Sequence, residues 1–292
     1  MNPQPLQNQP VAAPTVPPAS PAHMLGSLQI KNTSRLLTKD TRLATLIVAQ
    51  PKFGKTTMAA SLDKLCREHL QKPALFVALE SSDGGGTMSI RKLGVDYIEP
   101  DNYDTMQKTI EALIEDTTYG GVVIDSATEY IELFLKPYAL KFPSRERTAL
   151  RGAGVPERSD YQTMGEKMRQ DFNRLLKMTK HPDPRKRKHL VITALEKERT
   201  DDAGSVTAIV PNLPGAMANA ATAMFQTVGN IKIVTTVGKG PDGKPTRESA
   251  RWFSTASDGV RVAGDRFGVL PLLVEPDLSV IWNKYMVPAM TD

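Results

Sequence analysis

Residues 45–58 read TLIVAQPKFGKTTM, and this stretch decides the fold that the rest of the 292-residue sequence must fit. The apolar run at 46–48 predicts a buried parallel strand, and an amphipathic helical pattern begins at Lys55. Between them, Ala49, Gly54, Lys55 and Thr56 have the spacing of a Walker A loop. A strand, a glycine turn and a helix in this order predict a phosphate-binding loop in an α/β protein.

The residue types of this loop suit phosphate chemistry. A sharp turn at Gly54 would point successive backbone N–H groups inward and create an anion site at the N-terminus of the next helix. We expect Lys55 to reach the β- and γ-phosphates of a nucleotide, and Thr56 to offer its hydroxyl to Mg²⁺. The alternative is a glycine turn that binds nothing, since Ala49 replaces the first glycine of the usual pattern. The residues predicted to surround the nucleotide are Ala49, Gln50, Pro51, Lys52, Phe53, Gly54, Lys55, Thr56 and Thr57.

A second strand follows the loop and ends beside a carboxylate. The helical pattern at 55–70 is ended by Pro73, and residues 74–79 are a run of strand formers. Glu80 comes directly after this run, where a doubly wound sheet faces its ligand crevice. We expect Glu80 to act as a general base that orients the attacking water and accepts its proton. The alternative is a surface glutamate at the start of a flexible loop.

A third apolar strand, Val122-Val-Ile-Asp125-Ser126, also ends in a carboxylate. It follows a helix predicted at 101–116 and a short strand predicted at 95–98. An apolar strand that ends in Asp is the Walker B pattern, in which the strand fixes a carboxylate that holds Mg²⁺ through water. Asp125 is therefore the predicted partner of Thr56 in a metal site.

Composition limits the class of protein. The single cysteine, Cys66, falls on the apolar face of a predicted helix, and no Cys/His cluster has zinc spacing. No apolar run is long enough to span a bilayer, so we expect a soluble, cytoplasmic protein with no membrane partner. Residues 1–24 hold seven prolines and no charged residue, which predicts a disordered arm with two P-x-x-P spacings. Residues 25–292 are predicted to form one domain, which begins with an edge strand at 28–30.

Positive charge is concentrated in one region of the chain. Residues 136–200 hold 17 Lys and Arg against 8 Asp and Glu, a net charge of +9, whereas the whole chain has +5. Within this region, residues 141–160 lack periodicity and predict a long mobile loop, and residues 161–179 predict a helix. The run Arg185-Lys-Arg-Lys188 has two interpretations, a polyanion contact or a solvated connection from helix to strand.

The C-terminal part of the sequence predicts further strands. A fourth strand at 190–194 leads to Glu196, Lys197, Glu198 and Arg199, which we expect beside the same crevice, with one of them sensing the γ-phosphate. Residues 201–213 predict a loop or loose hairpin, and residues 215–225 predict a helix. Residues 231–236 and 251–254 predict an antiparallel hairpin about the turn at 241–244. Residues 257–292 predict short strands and turns, in which Arg266 and Trp282 have no assigned role.

The order of these motifs resembles the RecA-type ATPase core, and more closely the small phage P-loop proteins of the Sak type, which are RecA-like annealing and recombination proteins. The landmarks are the phosphate loop, Glu80, Asp125, the helix at 161–176 and the strand at 191–193. The resemblance implies an α/β fold with a RecA-like P-loop NTPase core. It also implies a largely parallel sheet flanked by helices, with antiparallel strands at the C-terminal end.

The same resemblance implies an ATPase that uses ATP and Mg²⁺ and binds single-stranded DNA in phage recombination or annealing. In this family, the carboxylate at the position of Glu80 activates water, and mobile loops at the positions of 141–160 and 198–213 approach DNA. RecA has a glutamine after the fourth strand, where this chain has Ala194-Leu-Glu196. Neither loop has the closely spaced aromatic residues that favour base stacking. The candidate DNA-binding residues are Arg145, Arg147, Arg151, Arg158 and Arg199.

Three further expectations follow from this resemblance. A homo-oligomer would fit it, as would a single-strand-binding protein or other recombination partner docked on the N-terminal arm. The protein would then act in the cytoplasm of a host cell.

Two other classes of function fit the phosphate loop. A small-molecule P-loop kinase would need an Arg-rich lid, for which the loop at 141–158 has a suitable composition. A structural or adaptor protein would bind nucleotide without turning it over. Measured turnover with and without single-stranded DNA separates these classes from a DNA-associated ATPase.

Overall fold

The computed structural model describes residues 24–25, 28–29, 37–79, 89–141, 156–239 and 245–291. The predictions for most of the N-terminal arm, for Glu80 and for Arg145, Arg147 and Arg151 therefore lie outside the described residues. The predicted division into an arm and one domain stays a prediction.

The described strands are β1 (Met24–Leu25), β2 (Leu28–Gln29), β3 (Ala44–Ala49), β4 (Ala74–Ala78), β5 (Asp96–Ile98), β6 (Gly121–Asp125), β7 (His189–Thr200), β8 (Val206–Pro211), β9 (Thr227–Lys239), β10 (Pro245–Ser254), β11 (Gly264–Asp265) and β12 (Leu273–Val274). The main helices are α1 (Lys55–Leu70), α2 (Tyr103–Glu115), α4 (Arg158–Met178) and α5 (Met217–Met224).

Two further helical stretches each contain a turn of π-helix. The segments Ala127–Glu129, Tyr130–Leu135 and Lys136–Leu140 follow one another without a break, and together they are α3. The segments Leu278–Ile281, Trp282–Met286 and Val287–Thr291 likewise form α6. None of the helices in the described ranges is long and apolar enough to cross a membrane.

The central sheet has the order β12-β10-β9-β3-β7-β6-β4-β5, with β8 added to β7 and β11 to β9. The phosphate-loop strand β3 lies in the middle and is parallel to both neighbours, β7 and β9. The pairs β7–β6, β6–β4 and β4–β5 are also parallel. The pairs β9–β10 and β10–β12 are antiparallel. The predicted fold class, a largely parallel sheet with C-terminal antiparallel strands, is confirmed.

Helices cover both faces of the sheet. Successive side chains of each strand point to opposite faces, and on the inner strands both sets are apolar, so both faces need a helix layer to bury them. Leu46 and Val48 face one core, which is filled by α2, α3, α4 and α5. Ile47 and Ala49 face the other core, which contains α1 and α6. This double burial explains why the inner strands read as continuous apolar runs.

Local signals set several helix ends. Asn102 caps α2, since its side chain accepts a hydrogen bond from the Thr105 N–H at 2.9 Å. Glu157 and Asp160 form a capping box at the start of α4, in which the Glu157 N–H donates to Asp160 at 2.8 Å. The helix therefore begins at Arg158, a residue that was predicted to lie in the loop at 141–160.

Three predictions of local structure were wrong. Leu28–Gln29 pairs with Met24–Leu25 in a separate two-stranded sheet and is not an edge strand of the central sheet. The fourth strand was predicted to end at 194, but β7 runs on to Thr200 and pairs with β8, so of the two forms predicted for 201–213, a loop or a loose hairpin, the structure has the hairpin. The end of the C-terminal tail is helical, since α6 occupies residues 278–291.

The tail helix α6 gives Trp282 a structural role. This side chain is 4% exposed and meets the buried His189 ring edge-on, with the ring centroids 5.0 Å apart. Arg266, the other unassigned residue, donates a hydrogen bond to the Ala223 carbonyl at the end of α5. Both residues therefore attach the C-terminal tail to the sheet domain.

Candidate functional site

The loop between β3 and α1 has the backbone that the sequence predicted. Gly54 lies at a φ of 97° and Lys52 at 67°, both in the left-handed region, so the chain turns sharply before the helix. The buried Lys55 folds back over this turn, and its Nζ donates to the carbonyls of Ala49 and Gln50 at 3.2 and 2.9 Å. The loop is thus closed around a lysine ammonium group at the N-terminus of a 16-residue helix.

Asp125 joins the phosphate loop to the third strand. The Thr56 hydroxyl donates to one oxygen of the Asp125 carboxylate at 2.7 Å, and the Thr193 hydroxyl donates to the other. Asp125 is 4% exposed, and β6 lies beside β7, which carries Thr193. The two residues predicted to form a metal site, Thr56 and Asp125, are therefore in contact.

A cavity of about 530 Å³ opens over the loop at the carboxyl edge of the sheet. The phosphate-loop residues form its floor, and residues from the end of β6, the middle of β7, α3 and β10 are among those that form its walls. The lining residues are Pro51, Lys52, Gly54, Lys55, Thr56, Thr57, Ser89, Asp125, Ser126, Glu129, Leu195 and Arg251.

Comparison with known proteins places this site in a family. A family model described as an AAA domain matches residues 41–267. The chain belongs to this AAA-domain family. It is also similar to a solved KaiC-like protein from the hyperthermophilic archaeon Pyrococcus horikoshii OT3, with 14% identity and a TM-score of 0.36 over 73% of this chain and 84% of that chain. No curated protein matches the sequence.

This AAA domain is therefore a nucleotide-binding, P-loop ATPase-like domain, and its residues fit a nucleotide with Mg²⁺. Gly54 has no side chain to obstruct the turn, and Lys55 supplies a cation at the phosphate end of the cavity. The Thr56 hydroxyl and the Asp125 carboxylate are oxygen ligands of the kind that Mg²⁺ prefers. Of the predicted nucleotide contacts, Ala49, Gln50 and Phe53 do not line the cavity, and Ala49 is fully buried.

Glu129 is a carboxyl group of the AAA domain site that the sequence analysis missed. It lines the cavity from the start of α3, the helix that follows the strand ending in Asp125, and its side chain is half-buried. Burial raises the pKa of the Glu129 carboxyl, and the nearby charge of Glu132 raises it further. Its position four residues after Asp125, on a helix that starts at the strand end, was the available signal.

The four residues Glu196, Lys197, Glu198 and Arg199, which were predicted to lie beside the crevice, do not line the cavity. Leu195, an apolar residue, is the one that lines the cavity at this position. The Glu196 side chain is only 6% exposed and turns to Arg261, with 3.8 Å between Oε2 and Nε. Lys197, Glu198 and Arg199 lie on the β7–β8 hairpin, outside the cavity lining.

A second concave surface lies between the N-terminal half of α4 and the start of α5. This α4–α5 groove has a volume of about 560 Å³. Arg158, one of the predicted DNA-binding residues, lies at its edge, together with Arg169 and the half-exposed aromatic ring of Tyr161. The lining residues are Arg158, Tyr161, Gln162, Gly165, Glu166, Arg169, Pro214, Gly215, Ala216, Met217 and Ala220.

The basic run before β7 has a structural explanation. Arg185 pairs with Asp183 at 2.8 Å, Arg187 with Asp40 at 3.4 Å, and Lys188 with Asp116 at 3.5 Å. Lys186 pairs with Glu115. Each cation of the run thus has a carboxylate partner, which favours the interpretation as a connection between α4 and β7.

Proposed function

We propose that the protein hydrolyses ATP in the cavity over the phosphate loop. The observation that carries this proposal is the contact between Thr56 and Asp125, which brings the two predicted halves of a Mg²⁺ site together beside Lys55. The AAA-domain family match over residues 41–267 supports it.

Each residue of the site has a role in this proposal. Bound Mg²⁺ and ATP would supply a polarised γ-phosphate for attack by water. Lys55 binds the phosphates as a point charge, and the backbone N–H groups that follow Gly54 hold them in the turn. Thr56 and Asp125 position the metal side of the site. We assign the general base to Glu80, because in the sequence it comes shortly after β4, the strand whose last residue, Ala78, is paired with Asp125 of β6.

Turnover of Mg-ATP by Lys55→Ala tests this assignment. We expect the rate to fall on the order of 10²-fold or more, because the variant lacks the cation on the phosphates. Lys64→Ala is the matched control, since Lys64 is an exposed lysine of the same helix α1. Parental turnover in a folded Lys55→Ala protein would overturn the ATPase proposal.

We further propose that the α4–α5 groove binds single-stranded DNA. Arg158 and Arg169 offer guanidinium groups for phosphates, and Tyr161, which is 49% exposed, offers an aromatic face on which a base can stack. Glu166 pairs with Arg169 at 3.4 Å, but both side chains are more than half exposed, so the pair is easily exchanged for a phosphate. Arg145, Arg147 and Arg151 precede Arg158 in the sequence and belong to the same proposal.

Hydrogen bonds connect the groove to the nucleotide cavity. The Thr128 hydroxyl, next to Glu129, accepts from the Leu195 N–H at 3.1 Å and donates to the Asn212 carbonyl at 3.4 Å. The Asn212 N–H in turn donates to the Leu195 carbonyl at 2.7 Å. Asn212 comes shortly before the groove-lining residues Pro214–Met217 in the sequence, so these hydrogen bonds connect α3 to the segment that leads into the groove, which supports coupling between the two sites.

Fluorescence anisotropy with a labelled single-stranded oligonucleotide, measured over a salt series, tests DNA binding. We expect affinity to fall steeply with salt, and Arg158→Ala to reduce the slope of log affinity against log salt by about one. Arg199→Ala tests the hairpin in the same way, and Tyr161→Ala should weaken binding at every salt concentration.

Arg185→Ala is the matched control for these variants. Arg185 is an exposed arginine near the other end of α4, and its partner is Asp183. Loss of binding only in Arg185→Ala would show that the groove is the wrong surface. A parental protein that binds no oligonucleotide at low salt, with or without ATP, would overturn the DNA-binding proposal.

The biological role that we propose is phage DNA recombination or annealing. It rests on the RecA-like order of the motifs and on a groove that offers two arginines and an exposed tyrosine in the same chain as the nucleotide cavity. A homo-oligomer, and a recombination partner that docks on the N-terminal arm, belong to the same proposal. An annealing assay with complementary oligonucleotides, compared between the parent and Arg158→Ala, tests the role directly.

A further inference from the structure

Arg251 is a residue of the nucleotide cavity that comes from a distant part of the chain. It lies on β10, separated in sequence from the phosphate loop by most of the domain. A Cβ atom built on Gly54 would be 3.4 Å from the Arg251 Cδ, 3.7 Å from Nε and 3.8 Å from one terminal nitrogen. The guanidinium group therefore lies directly over the glycine that forms the turn of the loop.

The β9–β10 hairpin fixes this position. Strand β3 pairs with β9 only as far as Val48 and Asn230, so the rest of β9 projects beyond the carboxyl end of β3. Arg251 is opposite Ile233 on this projecting part, level with the phosphate loop. Two residues further along β10, on the same face, Phe253 is fully buried against the core that contains α1. The strand is thus anchored next to the arginine.

Close packing holds this anchor in place. A Cβ atom on Gly229 of β9 would lie 2.2 Å from the Phe253 ring, so the ring occupies the space that any larger residue would need. This packing fixes the position of β10 relative to β9, and pairing of β9 with β3 fixes it relative to the phosphate loop. Arg251 reaches the cavity from a strand that is packed into the core at the nearby Phe253.

The charge of Arg251 has no counterpart in the described part of the chain. Within those ranges, its side chain has no carboxylate within ion-pair distance and no hydrogen bond, although it is exposed and lines the cavity. A guanidinium group presents several N–H donors in a planar fork, which matches the geometry of phosphate oxygens. With Lys52 and Lys55 in the loop and Arg251 on the wall, the cavity has three cations near the turn.

We propose that Arg251 binds the polyphosphate of a nucleoside di- or triphosphate within the same chain, as a cation that the C-terminal hairpin adds to those of the phosphate loop. This inference rests on the nucleotide site of the proposed function and adds a residue to it, but it concerns binding and does not require hydrolysis. The C-terminal hairpin thereby becomes part of the nucleotide site. A bound nucleotide would then contact both the β9–β10 hairpin and the phosphate loop.

Equilibrium binding of a fluorescent ADP analogue with Mg²⁺ tests the proposal. Arg251→Gln removes the charge and keeps a long side chain, and we expect its affinity to be about tenfold lower, the usual effect of losing a charged hydrogen bond. Arg251→Lys should recover part of this loss, since it restores the charge without the fork. Thermal unfolding of the variants should match that of the parent, because the side chain is exposed.

Arg247→Gln is the matched control. Arg247 is on the same strand and the same face, opposite Val237, but it does not line the cavity. Parental affinity in Arg251→Gln, to within about twofold, or an equal loss in Arg247→Gln, would overturn the proposal. A parent that binds ADP but does not hydrolyse ATP would overturn the ATPase proposal alone, since the binding comparison still decides the role of Arg251.

Discussion

At the scale of single residues, Asp125 is held by two hydroxyl groups, those of Thr56 and Thr193. We expect Asp125→Asn to lose most of the Mg²⁺ dependence of nucleotide binding, because a neutral amide is a weaker partner for a hard cation. Titrations of the fluorescent ADP analogue with Mg²⁺ and with a chelator measure this dependence. Thr193→Val keeps the carboxylate and should keep the dependence. A normal Mg²⁺ response in Asp125→Asn would remove Asp125 from the metal site.

Glu80 and Glu129 are the two candidates for the general base. We expect Glu80→Gln to bind Mg-ATP normally and to turn it over about 10²- to 10⁴-fold more slowly, because it cannot accept the proton from water. Glu129→Gln is the comparison, since Glu129 lines the cavity and burial raises its pKa. Single-turnover rates of both variants decide between them. Slow turnover in Glu129→Gln with normal turnover in Glu80→Gln would move the role to Glu129.

At the scale of elements, α1 packs so closely on β6 that Gly121 has no room for a side chain. A Cβ atom there would lie 2.7 Å from the Cys66 Sγ and 2.9 Å from a Leu62 methyl group. We expect Gly121→Ala to lower the free energy of unfolding by about 1–3 kcal/mol, measured by urea denaturation. Gly165→Ala on α4 meets nothing within 4 Å and should raise it by roughly 0.5–1 kcal/mol. Equal stability of the two variants would contradict this packing.

The sequence predicted those elements whose signals are local. The bounds of α1 agree with the prediction because the glycine turn and Pro73 lie next to it in the sequence. The end of β7 was missed because Glu196–Arg199 are polar, and only pairing with β8 makes them a strand. For α6, a local signal existed: the Asp277 side chain caps it by accepting from the Ser279 and Val280 N–H groups at 2.8 and 3.1 Å.

The same distinction applies to the candidate site. The phosphate loop and Asp125 were predictable because a short motif determines their chemistry. Leu195 and Arg251 were not, because their place in the cavity depends on which strands become neighbours of β3. Arg158 was predicted as a loop residue, and the capping box of α4 instead places it in the first turn of a helix.

At the scale of the whole molecule, His189 ties together the sheet and the C-terminal tail. The ring is fully buried at the start of β7, and its Nδ1 accepts a hydrogen bond from the Leu43 N–H at 3.0 Å. Trp282 of α6 meets it edge-on, and Nε2 has no partner within the described residues. Burial lowers the pKa of His189 well below its ordinary value of 6.5, and the nearby charge of Arg42 lowers it further.

This buried imidazole predicts how the stability of the protein depends on pH. His189 stays neutral in the folded protein and gains a proton in the unfolded chain below about pH 6.5, so the unfolded state binds more protons. The free energy of unfolding should therefore be highest above that pH and fall below it, by at most about 1.4 kcal/mol per pH unit. Urea denaturation between about pH 5 and 7.5 measures this slope above the range in which ordinary carboxyl groups titrate.

The variant His189→Gln tests this origin of the pH dependence. We expect it to be less stable at pH 7, because it leaves a gap beside Trp282, but its free energy of unfolding should change much less with pH. His181→Gln is the control, since this histidine lies in the connection before β7 and is only half-buried. Its slope should equal that of the parent, and an unchanged slope in His189→Gln would show that other groups cause the acid sensitivity.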